Sequence, residues 1–132
     1  MTRLPARILP LLWLLAVSAF AAELPPMVTS YADKPVQHFN RELDEARRQQ
    51  ASWSESPEQI SRHYAGNQFT LIRTVQHQNE TLAYLSKSSL EDHQQVLLIL
   101  TLKQQGNHWA LKRAQVSWQC KRGQHFSTDP CH

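Results

Sequence analysis

Glycine is scarce, with three in 132 residues, and that excludes a glycine-rich loop of the kind that cradles phosphate. No serine lies in a Gly-x-Ser-x-Gly elbow, and no free cysteine stands beside a histidine as a nucleophile pair would require. Long apolar runs are missing too. The longest, Ile8 to Val17, is roughly half the ~20 residues needed to span a bilayer, so it does not predict a stable membrane anchor. Acidic residues nearly vanish toward the C-terminus, where Gln94 to His132 holds five basic residues and only Asp129 opposes them.

What is present at the N-terminus reads as an export signal. Arg3 and Arg7 precede the apolar run, and Ala19 and Ala21 flank Phe20 as small residues do at a cleavage site. Residues 1–21 are therefore predicted to be a signal peptide removed after Ala21, and no cysteine follows the run as a lipid-modified lipoprotein would need. Cleavage removes two of the 14 basic residues and none of the 11 acidic ones, so the net charge falls from +3 to +1. A charge that small does not indicate a nucleic-acid binder.

An exported chain meets an oxidising compartment, where two isolated cysteines usually pair. A Cys120–Cys131 disulfide is the expectation; it closes the short loop Lys121 to Pro130, which holds little apolar material to pack. The competing reading is zinc bound by Cys120, His125, Cys131 and His132. Their spacing matches no common zinc pattern, and the adjacent Cys131 and His132 cannot easily turn toward one ion.

Residues 22–35, with Pro25, Pro26 and Pro35 and little periodicity, read as an extended leader, and residues 36–132 as one α+β domain. Phe39, Leu43, Ala46, Gln50 and Trp53 recur at spacings of three and four, which predicts an amphipathic helix over Val36 to Ala51. Ser56 as cap, Pro57 at the first helical position, Gln59 three residues past the cap and Gly66 as a stop predict a second helix from Pro57 to Ala65. From Phe69 the period becomes two: strands are expected over Gln68 to Gln76, Leu82 to Leu85, Val96 to Lys103 and His108 to Gln119. Phe69, Leu71, Arg73 and Val75 should share one face of the first of these.

The last two strands form a hairpin about Gly106 and Asn107. In plain register Leu100, Leu98 and Val96 would face Arg113, Gln115 and Ser117, setting core residues against polar ones. One extra residue at Lys112-Arg113 sets them against Ala114, Val116 and Trp118 instead, so a β-bulge is predicted there. The opposite side of the same strand carries Leu97, Ile99 and Thr101, too apolar to face water. The leader or strand curvature is the expected cover, and a partner or dimer surface the alternative.

Helices followed by antiparallel strands predict N-terminal helices packed on one face of a roughly four-stranded sheet. The segment Leu98-Ile99-Leu100-Thr101-Leu102, Gly106, Trp109-Ala110-Leu111 and Ala114 resembles the closing hairpin of cystatin-like and NTF2-like sheets over about Pro57 to Trp118. Such a resemblance implies general shape only, because those folds host unrelated functions.

Seven histidines are scattered without a helical i, i+4 ligand pair, and the neighbouring carboxylates Asp44-Glu45 and Glu91-Asp92 diverge instead of converging on one cleft. No catalytic, cofactor-binding or metal residue is assigned. Lys112, Arg113, Lys121 and Arg122 form the candidate partner surface, weighed against a charged strand edge that merely discourages strand addition. The function expected is a non-enzymatic periplasmic or secreted accessory protein that binds an envelope or extracellular protein. The alternatives are a small hydrolase or isomerase in which His77, Tyr84 or Arg73 converge on the sheet, and a carrier of an apolar ligand.

Overall fold

The computed structural model describes residues 27–89 and 93–131. The signal peptide and cleavage site expected from the sequence, like His132, lie outside the described residues. The chain runs through strand β1 (Ala32–Lys34), helix α1 (Gln37–Arg48), a 3-10 turn at Ser52–Ser54 and helix α2 (Pro57–Ala65). Strands β2 (Thr70–His77), β3 (Glu80–Ser88), β4 (His93–Gln105) and β5 (His108–Cys120) follow. All pairings are antiparallel in the order β1-β5-β4-β3-β2.

The protein is thus α+β, with five strands where about four were expected, and its helices follow a strand instead of opening the domain. The added strand is only Ala-Asp-Lys and carries no alternation of its own. Pairing with Ala114, Gln115 and Val116 defines it, and Pro35, which has no N–H to donate, follows its last residue.

Local chemistry accounts for the helices. Ser56 Oγ accepts the Gln59 N–H at 3.3 Å, Pro57 occupies the first turn, and Gly66 ends α2 at φ +86, where its N–H bonds the Arg62 carbonyl at 2.9 Å. In α1 the buried residues are Phe39, Leu43 and Ala46, as the spacing predicts, but the helix stops at Arg48 because Gln50 turns left-handed at φ +57. Trp53 then belongs to the 3-10 turn, where it packs against Phe39 at 6.0 Å between ring centroids.

The predicted bulge is present. Val96, Leu98 and Leu100 pair with Trp118, Val116 and Ala114, whereas Leu102 pairs with Leu111, leaving Lys112 as the extra residue. Of these, Leu98, Leu100, Leu102, Leu111 and Ala114 join Phe39, Leu43 and Ile60 from the helices and Ala83 and Leu85 from β3 in one core. A second bulge, at Ile72, was not foreseen. Leu71 pairs with Leu85 but Arg73 pairs with Tyr84, so Phe69 and Leu71 face the helices while Arg73 and Val75 face the other way. The expected common face of these four residues is therefore corrected, since two residues opposite one reverse the alternation. Ile72 is left 46% exposed.

The far side of β4 is covered from within. Leu97 and Ile99 are 0% and 5% exposed, packed with Phe126, Val28, Leu82 and Tyr84. Phe126 comes from the loop closed by the Cys120–Cys131 disulfide, whose Cα atoms lie 5.4 Å apart. The loop therefore does carry packing material, contrary to the sequence reading. It is stitched down by Trp118 N–H to Ser127 O (2.9 Å), Ser127 N–H to Trp118 O (2.8 Å) and the Ser117 hydroxyl donating to Ser127 O (3.1 Å). The N-terminal segment joins through Thr29 N–H to Phe126 O at 2.9 Å.

Where β1 ends, the outer edge of β5 would leave backbone groups of Leu111 unpaired. Asn40 of α1 fills the gap with both ends of its amide: Nδ2 donates to Leu111 O at 2.8 Å, and Oδ1 accepts the Leu111 N–H at 2.9 Å. Asn40→Ala should destabilise the protein by about 2 kcal/mol in urea unfolding, because two backbone groups lose their partner. His38→Ala, one exposed helix position nearby, should stay within about 0.5 kcal/mol. Reduction of the disulfide should remove about 3 kcal/mol by loop-closure entropy. Phe126→Ala should remove a similar ~3 kcal/mol through lost packing. Because both act on one segment, their combined effect in the same assay should fall short of the sum.

Candidate functional site

The two helices do not reach the whole sheet. Tyr64 and Ala65, at the end of α2 before Gly66, lie beside Leu98 and Val116 of one row of the sheet and Lys87, Val96 and Trp118 of the next. The result is a groove of about 470 Å³ with a floor of Val96, Leu98 and Val116. Tyr64 and Ala65 of α2 form one wall, and Phe69 and Trp118 supply aromatic surface. Lys34, Lys87 and His93 bring positive or ionisable nitrogen to it, and among the described residues no carboxylate lines it.

Each of these groups has a definite support. Lys87 places Nζ 5.1 Å from the Phe69 ring centroid, a cation over an aromatic face. His93 stands 5.4 Å from the Trp118 ring, and the Trp118 indole N–H donates to Asp129 O at 2.8 Å, tying the aromatic wall to the disulfide-closed tail. Burial pushes the Tyr64 hydroxyl pKa above its ordinary value. Beyond Lys87 and His93 the groove opens into a shallow hollow of about 830 Å³ edged by Thr70, Ser86 and Ser88.

The basic residues singled out in the sequence do not form one surface. Lys112 and Arg113 lie near the start of β5, and Lys121 and Arg122 in the turn after its end, some 26 Å away along the strand at ~3.3 Å per residue. Lys112 is engaged: it reaches across β4 to Glu80 on β3, with Nζ to Oε1 at 2.5 Å. Arg113 shares a separate hollow with Asp33, Lys34 and Gln115.

Of the three residues named for the catalytic alternative, two are brought together and one is not. Arg73 does lie 5.7 Å from the Tyr84 ring centroid, but both are on the face away from the helices. His77 pairs with Glu80 at the far end of the same strand, roughly 13 Å from Arg73 at ~3.3 Å per residue. His63 stacks on Trp53 at 3.7 Å between centroids, with Glu42 3.7 Å from its Nε2. The zinc reading is overturned by the disulfide, which consumes both thiolates it requires. Among the described residues no group of three or more His, Cys, Asp or Glu side chains could hold a metal ion.

Sequence reasoning missed Lys34 and Lys87. A signal for Lys87 was available: the inward positions of β3 read Ala83, Leu85, Lys87, so a cation ends an otherwise apolar stripe. Lys34 gave none, because its position depends on the pairing of β1 with β5. Comparison of the chain with protein-family models, curated proteins and solved structures finds no match. The fold and groove define a disulfide-bonded α+β protein with a cationic aromatic groove at the open end of its helix-covered face.

The Lys112 hydrogen bond, aided by the fields of Lys112, Lys103 and His77, pulls the Glu80 carboxyl below the usual glutamate range. A lowered folded-state pKa means that the pair's contribution is present above the unfolded pKa and is lost as pH falls through the folded value. Carboxyl NMR titration should give Glu80 a midpoint below that of an ordinary glutamate, and Lys112→Met should raise it toward the ordinary value.

Proposed function

We propose that this protein is an exported binding module, periplasmic or secreted, that engages another protein through the groove formed by Val96, Leu98, Val116, Phe69 and Trp118. The observation that carries this reading is the groove's composition: aromatic and aliphatic surface beside lysines, with no lining carboxylate among the described residues, on a domain with a packed helix-side core. Apolar surface with a few placed polar groups is the usual make-up of a recognition site. The disulfide is consistent with an oxidising compartment. Among the described residues no helix is long and apolar enough to cross a membrane. In general shape the domain is of the cystatin-like or NTF2-like kind, and under this reading the sheet serves as a scaffold that presents the groove.

A photo-crosslinking side chain placed at Val96 should yield a protein adduct in the native envelope or extracellular fraction. The same probe at Arg122 should yield none. Adducts from Arg122 and Arg113 with none from Val96 would move the partner surface back to the basic residues of β5 and reject the groove.

A further inference from the structure

The two lysines of the groove stand on opposite sides of its apolar floor. Lys34 belongs to β1 and Lys87 to β3, with β5 and β4 between them, which is three strand spacings or about 14 Å across the sheet. Their register positions differ as well: Lys34 is level with Ala114 and Leu100, whereas Lys87 is level with Val96 and Trp118. Neither has an ion pair among the described residues. Other cations of the fold do have one: Arg47 with Asp44, Arg48 with Glu45, and Lys112 with Glu80. Two ammonium groups without an ion pair among the described residues therefore bracket Leu98, Val116 and the Trp118 ring.

We propose that the groove takes an extended peptide segment in which acidic residues flank one large apolar or aromatic side chain; this rests on the binding-module reading above and names the chemistry of its partner. A ligand with a single carboxylate, such as a fatty acid, can meet only one of the two separated lysines. With the four-residue register offset added to the strand spacing, the two lysine positions lie about 19 Å apart on the diagonal, a span that an extended chain covers in about six residues. The central side chain then covers the floor beside Trp118, where partial exclusion of water strengthens each ammonium–carboxylate contact.

The test uses the mature, disulfide-intact protein and three probes: a synthetic peptide with the centre Glu-Glu-Leu-Phe-Glu-Glu, the same peptide with Gln at every Glu, and dodecanoate. Binding is read from the NMR signals of the Trp118 indole N–H and the Val116 methyl groups. The Glu peptide should shift both and bind about tenfold more weakly when salt rises from ~0.05 M to ~0.3 M, since partly exposed charge pairs are screened. The double charge reversal Lys34→Glu with Lys87→Glu should weaken the Glu peptide about 30-fold or more, as like charges replace the complementary ones.

The same variant should acquire affinity for a Lys-substituted version of the peptide. That gain would not arise from a merely misfolded protein, and retention of the core methyl signals of Leu43 and Leu100 checks the fold directly. Equal binding of the Gln peptide, indifference to the double reversal, or binding of dodecanoate without the Glu peptide would each overturn the proposal. If the Val96 crosslink persists in the double reversal, the acidic-segment proposal fails while the binding module stands. Loss of every Val96 adduct from the unaltered protein would reject the module itself.

Discussion

Leu97, Leu98, Ile99 and Leu100 are consecutive on β4 and all are buried. Because neighbouring strand residues point to opposite faces, a run of this kind demands that the sheet be covered on both sides. The helices meet one half of that demand, and the other is met by elements that look expendable in the chain: Val28 from the N-terminal segment and Phe126 from the C-terminal loop. The disulfide matters for this reason. It holds a loop whose one large apolar residue closes the second core, and its constraint is spent on positioning Phe126 over Leu97 and Ile99.

A related constraint operates at the edge of the sheet. β5 is long, and an open edge of that length would invite pairing with another chain. Three separate devices occupy it in succession: the Asn40 amide at Leu111, the three residues of β1 at Ala114 to Val116, and the tail backbone at Trp118. Each stops where the next begins. On the opposite edge, β2 carries its own bulge at Ile72, which interrupts regular pairing and brings Arg73 over the Tyr84 ring.

The groove is what remains of the helix-covered face once these requirements are met. α2 is nine residues long and ends before Gly66, and its last residues Tyr64 and Ala65 wall the groove whose lining includes Leu98, Val116, Lys87, Val96 and Trp118. The tail that fills the second core also anchors Trp118 through its indole N–H, so the wall of the groove and the cover of the opposite face share one support. Its chemistry differs from that of the hairpin end, where Lys112 and Glu80 satisfy each other across β4.

Much of this was legible from residue order. The spacing of Phe39, Leu43 and Ala46, the Ser56-Pro57-Gln59 start, the disulfide and the bulge at Lys112 all follow from local rules, because each depends on periodicity, capping or the need to set core residues against core residues. The candidate site was barely legible. Lys112 and Lys121 look alike in sequence, yet one is paired with Glu80 and the other lies in a turn at the far end of the strand. Their difference rests on residues thirty or more positions away. Sequence by itself determined the helices, the hairpin with its bulge and the cysteine pair, since those are set by neighbours along the chain. Only the tertiary structure decided that Ala32–Lys34 is a strand, that Phe126 is core, and that Lys34 and Lys87 face one groove, because those facts come from pairings that bring distant segments together.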